Sequence, residues 1–308
     1  MPELPEVESL RRDLSRTLPG RTIVHAELTK PRMLVDPFGL GLAAVEGRTI
    51  ERLRRRAKML IVDLSGGLSL VIHLKLAGQL NHRRGDATLA SGGHPVPAYD
   101  APLPHKSTHG RFDFDDGTTL FLTDIRQFGR VTVLPTEEVE PLMKDKKLGL
   151  EPFDPAFDDA YLRRRLSRHA KLALKTFLLD QSGLVGLGNI YADEALNAAR
   201  LHPLTPAGSL TGPQVKRLRT AILDVLSYAV ENGVADLPQG RVRDGADFPR
   251  VHGRSGLPCL ECGTPVARIK VGARSTDFCP ACQRRSRTGG TARRPRTVQS
   301  PPDSAAHA

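Results

Sequence analysis

The chain has 308 residues, enough for about two domains of ordinary size, each able to bury its own core. Forty-five Lys and Arg against 34 Asp and Glu leave a net charge of +11, which favours a polyanionic partner such as nucleic acid, although a solvated basic surface carries the same charge. No apolar run approaches the roughly 20 residues of a membrane span, and the start has neither the basic nor the apolar stretch of a targeting peptide, so an intracellular protein is expected.

MPELPEVESL opens the chain. Pro5 suits a first helical position, Glu6 and Glu8 complement the positive end of a helix dipole, and Val7, Leu10, Leu14 and Leu18 share a face, which predicts an amphipathic helix over residues 5–18. Pro2 and Glu3 are left without a structural task. A small second residue permits removal of Met1, after which Pro2 presents a secondary amine that can attack a masked aldehyde and form an iminium that stays cationic. A neighbouring carboxylate such as Glu3 can serve as general acid and base. Many chains begin Met-Pro with no such consequence.

Short segments rich in Val, Ile and Leu follow Gly20: TIVHAEL, RTIERLRR, KMLIVDL, LSLVIHLKL, GRFDFDD, TTLFLTD and RVTVLP. Gly66-Gly67 and Asp116-Gly117 separate pairs of them as hairpin turns, which predicts a mainly antiparallel sandwich or barrel. Lys58 stands among Arg54, Arg55 and Arg56 at the mouth of an apolar strand, where a lysine is ordinarily just solvated. The Gly- and Pro-rich stretch 83–106 reads as a surface loop. In TDIRQFGR, Arg126 and Phe128 are spaced to wedge a base stack, although a core Phe beside a surface Arg fits the same residues. Residues 135–158, dense in proline and charge, read as an interdomain connection.

Beyond it the apolar spacing becomes helical in DAYLRRRLSRH, KLALKTFLLD, NIYADEALNAAR and TGPQVKRLRTAILDVLSYAVENG. The glycines of GLVGLGNIYADEAL do not match a dinucleotide fingerprint. A tight turn leading into a helix at Asn189 exposes amides that can hold a phosphate; an ordinary helix-turn-helix with Asn189 as its cap accounts for the same residues. Cys259, Cys262, Cys279 and Cys282 form two CxxC pairs with sixteen residues between them, the spacing of a closed tetrahedral zinc site that leaves no position for water. One structural Zn²⁺ and no catalytic metal are expected, with Arg268, Lys270 and Arg274 on a basic hairpin between the pairs. The tail from Arg284, almost without apolar residues, is expected to be disordered.

These pieces resemble one family, the bacterial formamidopyrimidine-DNA glycosylases, of one superfamily with endonuclease VIII. The matching stretches are MPELPEVE, RRAKML, HLKLAGQL, TDIRQFGR, GLGNIYADEAL with ARLHP, and VHGRSGLPCLECGTPVARIKVGARSTDFCPACQ; they run in family order over residues 1 to about 283. The resemblance implies an α+β fold, with a catalytic N-terminal β-sandwich and flanking helix (1–134), a linker (135–158), a helix-two-turn-helix domain (159–250), a zinc-finger β-hairpin (251–283) and a disordered basic tail (284–308). It implies a cytoplasmic, nucleoid-associated monomer acting on double-stranded DNA that contains oxidised bases or abasic sites, without a membrane.

By the same resemblance Pro2 attacks C1′ of the damaged nucleotide, Glu3 protonates the sugar, Lys58 donates a proton during β-elimination and Arg274 during δ-elimination. Asn189, Lys171 and Arg126 match phosphate-binding positions, and Leu76, Arg126 and Phe128 match residues that fill the gap left by a flipped nucleotide. The expected activity is a bifunctional glycosylase and AP lyase of base excision repair acting on formamidopyrimidines and 8-oxoguanine. The alternatives are endonuclease VIII-like activity on oxidised pyrimidines and a non-catalytic zinc protein that binds damaged DNA. Leu76 replaces the family's usual Met, His252 the usual Tyr, and Ser107 a common DNA-contacting His, so that this phosphate contact is expected to be weakened or to move to Lys106 or His109. Residues 231–250 are a divergent, shortened form of the segment that covers the lesion, which bears on lesion preference.

Overall fold

The computed structural model describes residues 2–232 and 248–285, so most of the divergent segment 231–250 and of the tail 284–308 lies outside the described residues. Helix α1, Leu4–Thr17, starts where proline and the acids place it: the Glu3 side chain accepts the Glu6 amide and the Glu6 side chain accepts the Glu3 amide at 2.7 Å.

Ten strands follow: β1 Ile23–Leu28, β2 Leu34–Val35, β3 Ile50–Arg56, β4 Met59–Leu64, β5 Leu68–His73, β6 Gly78–Arg84, β7 Ala87–Gly93, β8 Thr108–Phe114, β9 Thr119–Asp124 and β10 Arg130–Pro135. They form two five-stranded sheets, in the orders β1-β8-β9-β6-β7 and β2-β10-β5-β4-β3. All pairings are antiparallel except the short β2–β10 pair. Leu60, Val62, Leu70, Leu80, Phe112, Leu122 and Val131 meet between the sheets. The edge strands β7 and β3 both lie against α1, whose Val7, Leu10 and Leu14 enter that core. Each such burial contributes about 2 kcal/mol. A Cβ on Gly92 of β7 would sit 3.0 Å from Leu10 Cβ, so this glycine sets how closely the helix approaches.

The expected surface loop 83–106 is corrected by β7, which takes its first half into the sheet. Nor was β6 apparent, because one of its two buried faces is polar: Gln79, Asn81 and Arg83 are all buried, and Arg83 donates to the carbonyls of Tyr99 and Ala101, tying down the loop that follows. Strands β4 and β5 lack alternation because their outer face is also covered. Ala57, Met59, Ile61 and Val71 pack there against Val139 and Met143 of α2, Val139–Asp145, and against Val185.

The helical part comprises α3 Asp159–Arg168, α4 Leu174–Leu179, α5 Asn189–Ala198 and α6 Gly212–Glu231 around a second core that includes Phe157, Leu178, Tyr191, Leu218 and Ile222. Asp158 caps α3, and Thr211 with Gln214 forms a capping box ahead of Pro213 in α6. Strands β11 Ala267–Val271 and β12 Arg274–Phe278 make the hairpin between the cysteine pairs. Among the described residues no helix is long and apolar enough to cross a membrane.

Candidate active site

The first residues of the chain are docked inside the molecule. Pro2 is buried and Glu3 is 1% exposed. The Glu3 carboxylate accepts the amides of Gly188 at 2.6 Å, Ile190 at 3.0 Å and Tyr191 at 3.4 Å, besides that of Glu6. A single side chain therefore satisfies the N-termini of α1 and α5, where a negative charge is favoured by both dipoles. Leu4 donates its amide to Gly186 at 3.0 Å. Gly186, at φ +91°, would place a Cβ 2.5 Å from Leu4 Cδ1, and Gly188 would place one 2.4 Å from Glu3 Cδ. Glycine is required at both positions for the N-terminus to fit.

Two readings of this turn are thereby corrected. The amides at the start of α5 hold a carboxylate of the same chain, not an external phosphate. Asn189 is not the cap but the first helical residue; Gly188 takes the cap position without a side chain, and Glu3 supplies the missing acceptor.

Lys58 reaches the same turn, its Nζ donating to the Leu187 carbonyl at 2.8 Å. Its direction is set by the β3–β4 turn, where Ala57 lies at φ 52° and donates its amide to Glu151 at 2.7 Å. Glu151 also receives Arg55 and Arg56 at 2.8 and 2.9 Å. Burial pushes the Lys58 ammonium below its usual range; Glu3 and Glu6 oppose that shift and Arg274 adds to it. Glu3, Glu6, Lys58 and Arg274 thus share one field although they come from α1, the sandwich and the zinc hairpin.

Arg274 is exposed at the start of β12. Its strand is fixed to α5 by Asn189, whose Nδ2 donates to the Ser275 carbonyl at 2.9 Å. Behind this contact, Asp193 accepts the fully buried Lys175 at 2.7 Å and His252 Nδ1 at 2.8 Å. His252, the departure from Tyr, turns its ring toward this carboxylate. Asp277 accepts Arg268 at 2.6 and 2.9 Å and the Gly253 amide at 2.8 Å. Every carboxylate oxygen of Asp193 and Asp277 thus has a protein donor, which makes the cluster with His252 an ion-pair network joining α5 to the hairpin.

The sulfurs of Cys259, Cys262, Cys279 and Cys282 all lie within 4.8 Å of one another. A tetrahedral zinc with Zn–S of about 2.3 Å needs sulfurs roughly 3.8 Å apart, so the four residues fit the ion and form a structural zinc site.

The remaining candidates sit on exposed loops. Leu76 is half-buried in the β5–β6 turn, and Arg126 and Phe128 follow β9, with Phe128 50% exposed and therefore no core residue. Asp124, wholly buried, shapes that loop by accepting the amides of Arg126 at 2.9 Å and Gly129 at 2.7 Å. Lys75 and Gln127, at φ 55° and 57°, adjoin these side chains, and with Ala57 beside Lys58 they place left-handed, non-glycine backbone next to three candidate segments. Lys171 is exposed in the turn between α3 and α4. The phosphate contact expected to move from Ser107 to Lys106 or His109 has one exposed candidate: Lys106 faces solvent, whereas His109 is 5% exposed with its ring on Thr29.

Glu151, Gln181, Asp193 and Glu194 hold these groups in place and went unnoticed in the sequence. Gln181 binds the Gly186 amide and the Leu187 carbonyl, while Glu194 accepts the amides of residues 250–252. The available signal was the density of carboxyl and amide side chains around GLGN.

Residues 1–131 match the formamidopyrimidine-DNA glycosylase N-terminal domain, 148–238 the H2TH domain of the same enzymes and 256–285 the zinc finger found in FPG and IleRS. The formamidopyrimidine-DNA glycosylase of Desulforamulus reducens is 39% identical over 92% of this chain and 99% of its own, and that of Chloroflexus aggregans 42% over 92% and 98%. The Lactococcus lactis Fpg bound to DNA with an abasic site superposes with a TM-score of 0.79 at 32% identity, covering 92% of this chain and all of that one. A MutM in complex with DNA containing carbocyclic 8-oxo-G gives the same TM-score and identity.

Proposed function

The chain belongs to the formamidopyrimidine-DNA glycosylase family and is a DNA glycosylase of DNA repair; we propose that it is bifunctional, excising oxidised purines and then cutting the strand as an AP lyase. The observation that carries this reading is the docking of the Pro2-Glu3 start against the Gly188 turn, with Lys58 bound to the same turn and Arg274 within its electrostatic reach.

With Met1 removed, the Pro2 nitrogen attacks C1′ of the damaged nucleotide. The glycosidic bond breaks, and Glu3 assists by protonating the sugar ring oxygen. The resulting iminium acidifies the C2′ proton; its loss expels the 3′ phosphate, and a second elimination expels the 5′ phosphate. Lys58 supplies the proton for the first elimination. Arg274 serves the second and grips phosphate together with Asn189, Lys171 and Arg126. Leu76, Arg126 and Phe128 fill the gap left in the duplex, which accords with the exposure of Phe128. The zinc site holds the hairpin that carries Arg274 and takes no part in bond breaking.

Support for a purine substrate comes from similar proteins. The L. lactis Fpg has been solved with FAPY-dG DNA, although the same protein has also been solved with an oxidised pyrimidine. Borohydride reduction on abasic duplex DNA should trap a covalent adduct with protein confirmed to begin at Pro2; failure to trap would remove the lyase assignment. A set of duplexes carrying formamidopyrimidine, 8-oxoguanine or an oxidised pyrimidine, opposite C and opposite A, ranks the lesions.

A further inference from the structure

A second carboxyl group lies inside the candidate active site with no part in the steps above. Glu6 is 7% exposed. Its Oε2 accepts the Glu3 amide at 2.7 Å, and its Oε1 accepts the Tyr191 hydroxyl at 2.7 Å. The Glu3 amide belongs to the Pro2-Glu3 peptide, so this hydrogen bond fixes the peptide plane attached directly to the proline ring. Tyr191 also donates its own amide to Glu3 at 3.4 Å, so one residue of α5 touches both carboxyl groups. The titratable and charged groups facing Glu6 are Glu3 on its own helix start, Tyr191 from α5 and Lys58 from the β3–β4 turn; Arg274 of the zinc hairpin bears on Lys58 in turn.

We propose that Glu6 is a positioning residue for the nucleophile: it fixes the Pro2-Glu3 peptide and, by holding or releasing one proton, sets the negative charge beside Pro2 and hence the pH range in which the proline nitrogen is a free amine. The inference rests on Pro2 being that nucleophile. Burial, followed by the charge of Glu3, pushes the Glu6 carboxyl up to about 7, against the hydrogen bonds from Tyr191 and the Glu3 amide. While Glu6 is protonated, Glu3 alone faces the cations Lys58 and Arg274, and the excess positive charge favours loss of the proton from the amine. Once Glu6 ionises, a second carboxylate offsets that excess and favours the protonated, non-nucleophilic form. Both oxygens of Glu6 have protein donors, so a change of its protonation also alters the hydrogen bond to Tyr191.

The test is the rate of borohydride trapping on abasic duplex DNA between about pH 5 and pH 9, alongside DNA affinity, for wild type, Glu6→Gln and Tyr191→Phe. Glu6→Gln keeps an acceptor for the Glu3 amide but cannot ionise; its acid limb is expected to move to lower pH by about half a unit or more, with affinity unchanged. Tyr191→Phe removes a donor that favours ionised Glu6, so its limb moves in the same direction. Superimposable profiles for the three proteins overturn the inference. So does an equal loss of trapping at every pH accompanied by weakened DNA binding in both variants, which would make Glu6 a purely structural group. No trapping by wild type at any pH strikes instead at Pro2 as nucleophile, a separate failure.

Discussion

Gly188 donates its amide to the Glu3 carboxylate at 2.6 Å across 185 residues of sequence, and a Cβ at Gly188 would lie 2.4 Å from Glu3 Cδ. Gly188→Ala must therefore push the carboxylate off the start of α5. Base excision is expected to fall about 100-fold, because a displacement near 1 Å suffices for that, while stability falls by only about 1–3 kcal/mol. Single-turnover excision measured alongside urea unfolding checks this. A variant that unfolds readily but excises normally once folded would show that Glu3 has a capping role alone.

Glu151 holds the turn that aims Lys58, yet it lies in the interdomain connection, far from the Glu3 end of the site in sequence. Glu151→Ala leaves the Ala57 amide without its acceptor and removes one acceptor each from Arg55, which keeps Glu8, and Arg56, which keeps the Gly149 carbonyl, at a cost of about 2–3 kcal/mol. If Lys58 serves elimination, strand cleavage should drop about tenfold more than base release. Separate quantification of free base and cleaved strand gives the ratio.

Phe128 is half exposed and contributes little to any core. Phe128→Ala should change stability by no more than about 0.5 kcal/mol while weakening preference for damaged over intact duplex roughly tenfold. Competition binding with the two duplexes reads this directly; a large loss of stability with unaltered preference would return Phe128 to a packing role.

Removal of zinc by a chelator, or Cys279→Ser, should release the β11–β12 hairpin and with it both the Asn189–Ser275 contact and Arg274. DNA affinity should fall and its salt dependence become shallower, since phosphate contacts are lost. Titration at two salt concentrations, with circular dichroism to show that the sandwich persists, is the measurement.

Two glutamates of α1 predict opposite pH limbs. At Glu8, burial is outweighed by hydrogen bonds from Arg11 and Arg12 and by the charge of Arg55, holding the carboxyl at about 2. Its contribution is full above the unfolded value near 4.5 and is lost as pH falls toward 2, so Glu8→Gln should flatten the acid limb of stability. At Glu6 the carboxyl is raised to about 7, so the folded chain keeps a proton that the unfolded chain has given up. That contribution is full below about 4.5 and declines as pH rises through 7, reaching about 3 kcal/mol at most. Glu6→Gln should therefore gain on wild type between about pH 5 and pH 8, as urea midpoints at the two values would show.

The parts legible in the sequence were those written locally. Pro5 with Glu6 predicted α1, Gly66-Gly67 and Asp116-Gly117 predicted hairpins, and the cysteine spacing predicted the zinc site. Strand β6 escaped because Gln79, Asn81 and Arg83 are buried polar residues that donate hydrogen bonds to a loop, and β7 because its buried residues are the small Ala90, Gly92 and Gly93. Helix α2 escaped because a proline-rich, charged stretch hides its Val139 and Met143. The cap of α5 could not be read from its own neighbourhood, since the acceptor arrives from residue 3. His109 looked available for phosphate because a strand's facing cannot be read from one histidine.

The distance in sequence between Glu3 and Gly188 is also a delay in time. During synthesis at about 5–20 residues per second, the 185 residues that separate them take roughly ten to forty seconds to appear. Until then the chain's first residues have no turn to dock against and stay accessible to any enzyme that would remove Met1. The buried position of Pro2 in the finished fold closes that interval. If Pro2 is the nucleophile, removal of Met1 belongs before that docking, and the glycine turn that completes the site is made with 120 residues of the chain still to come.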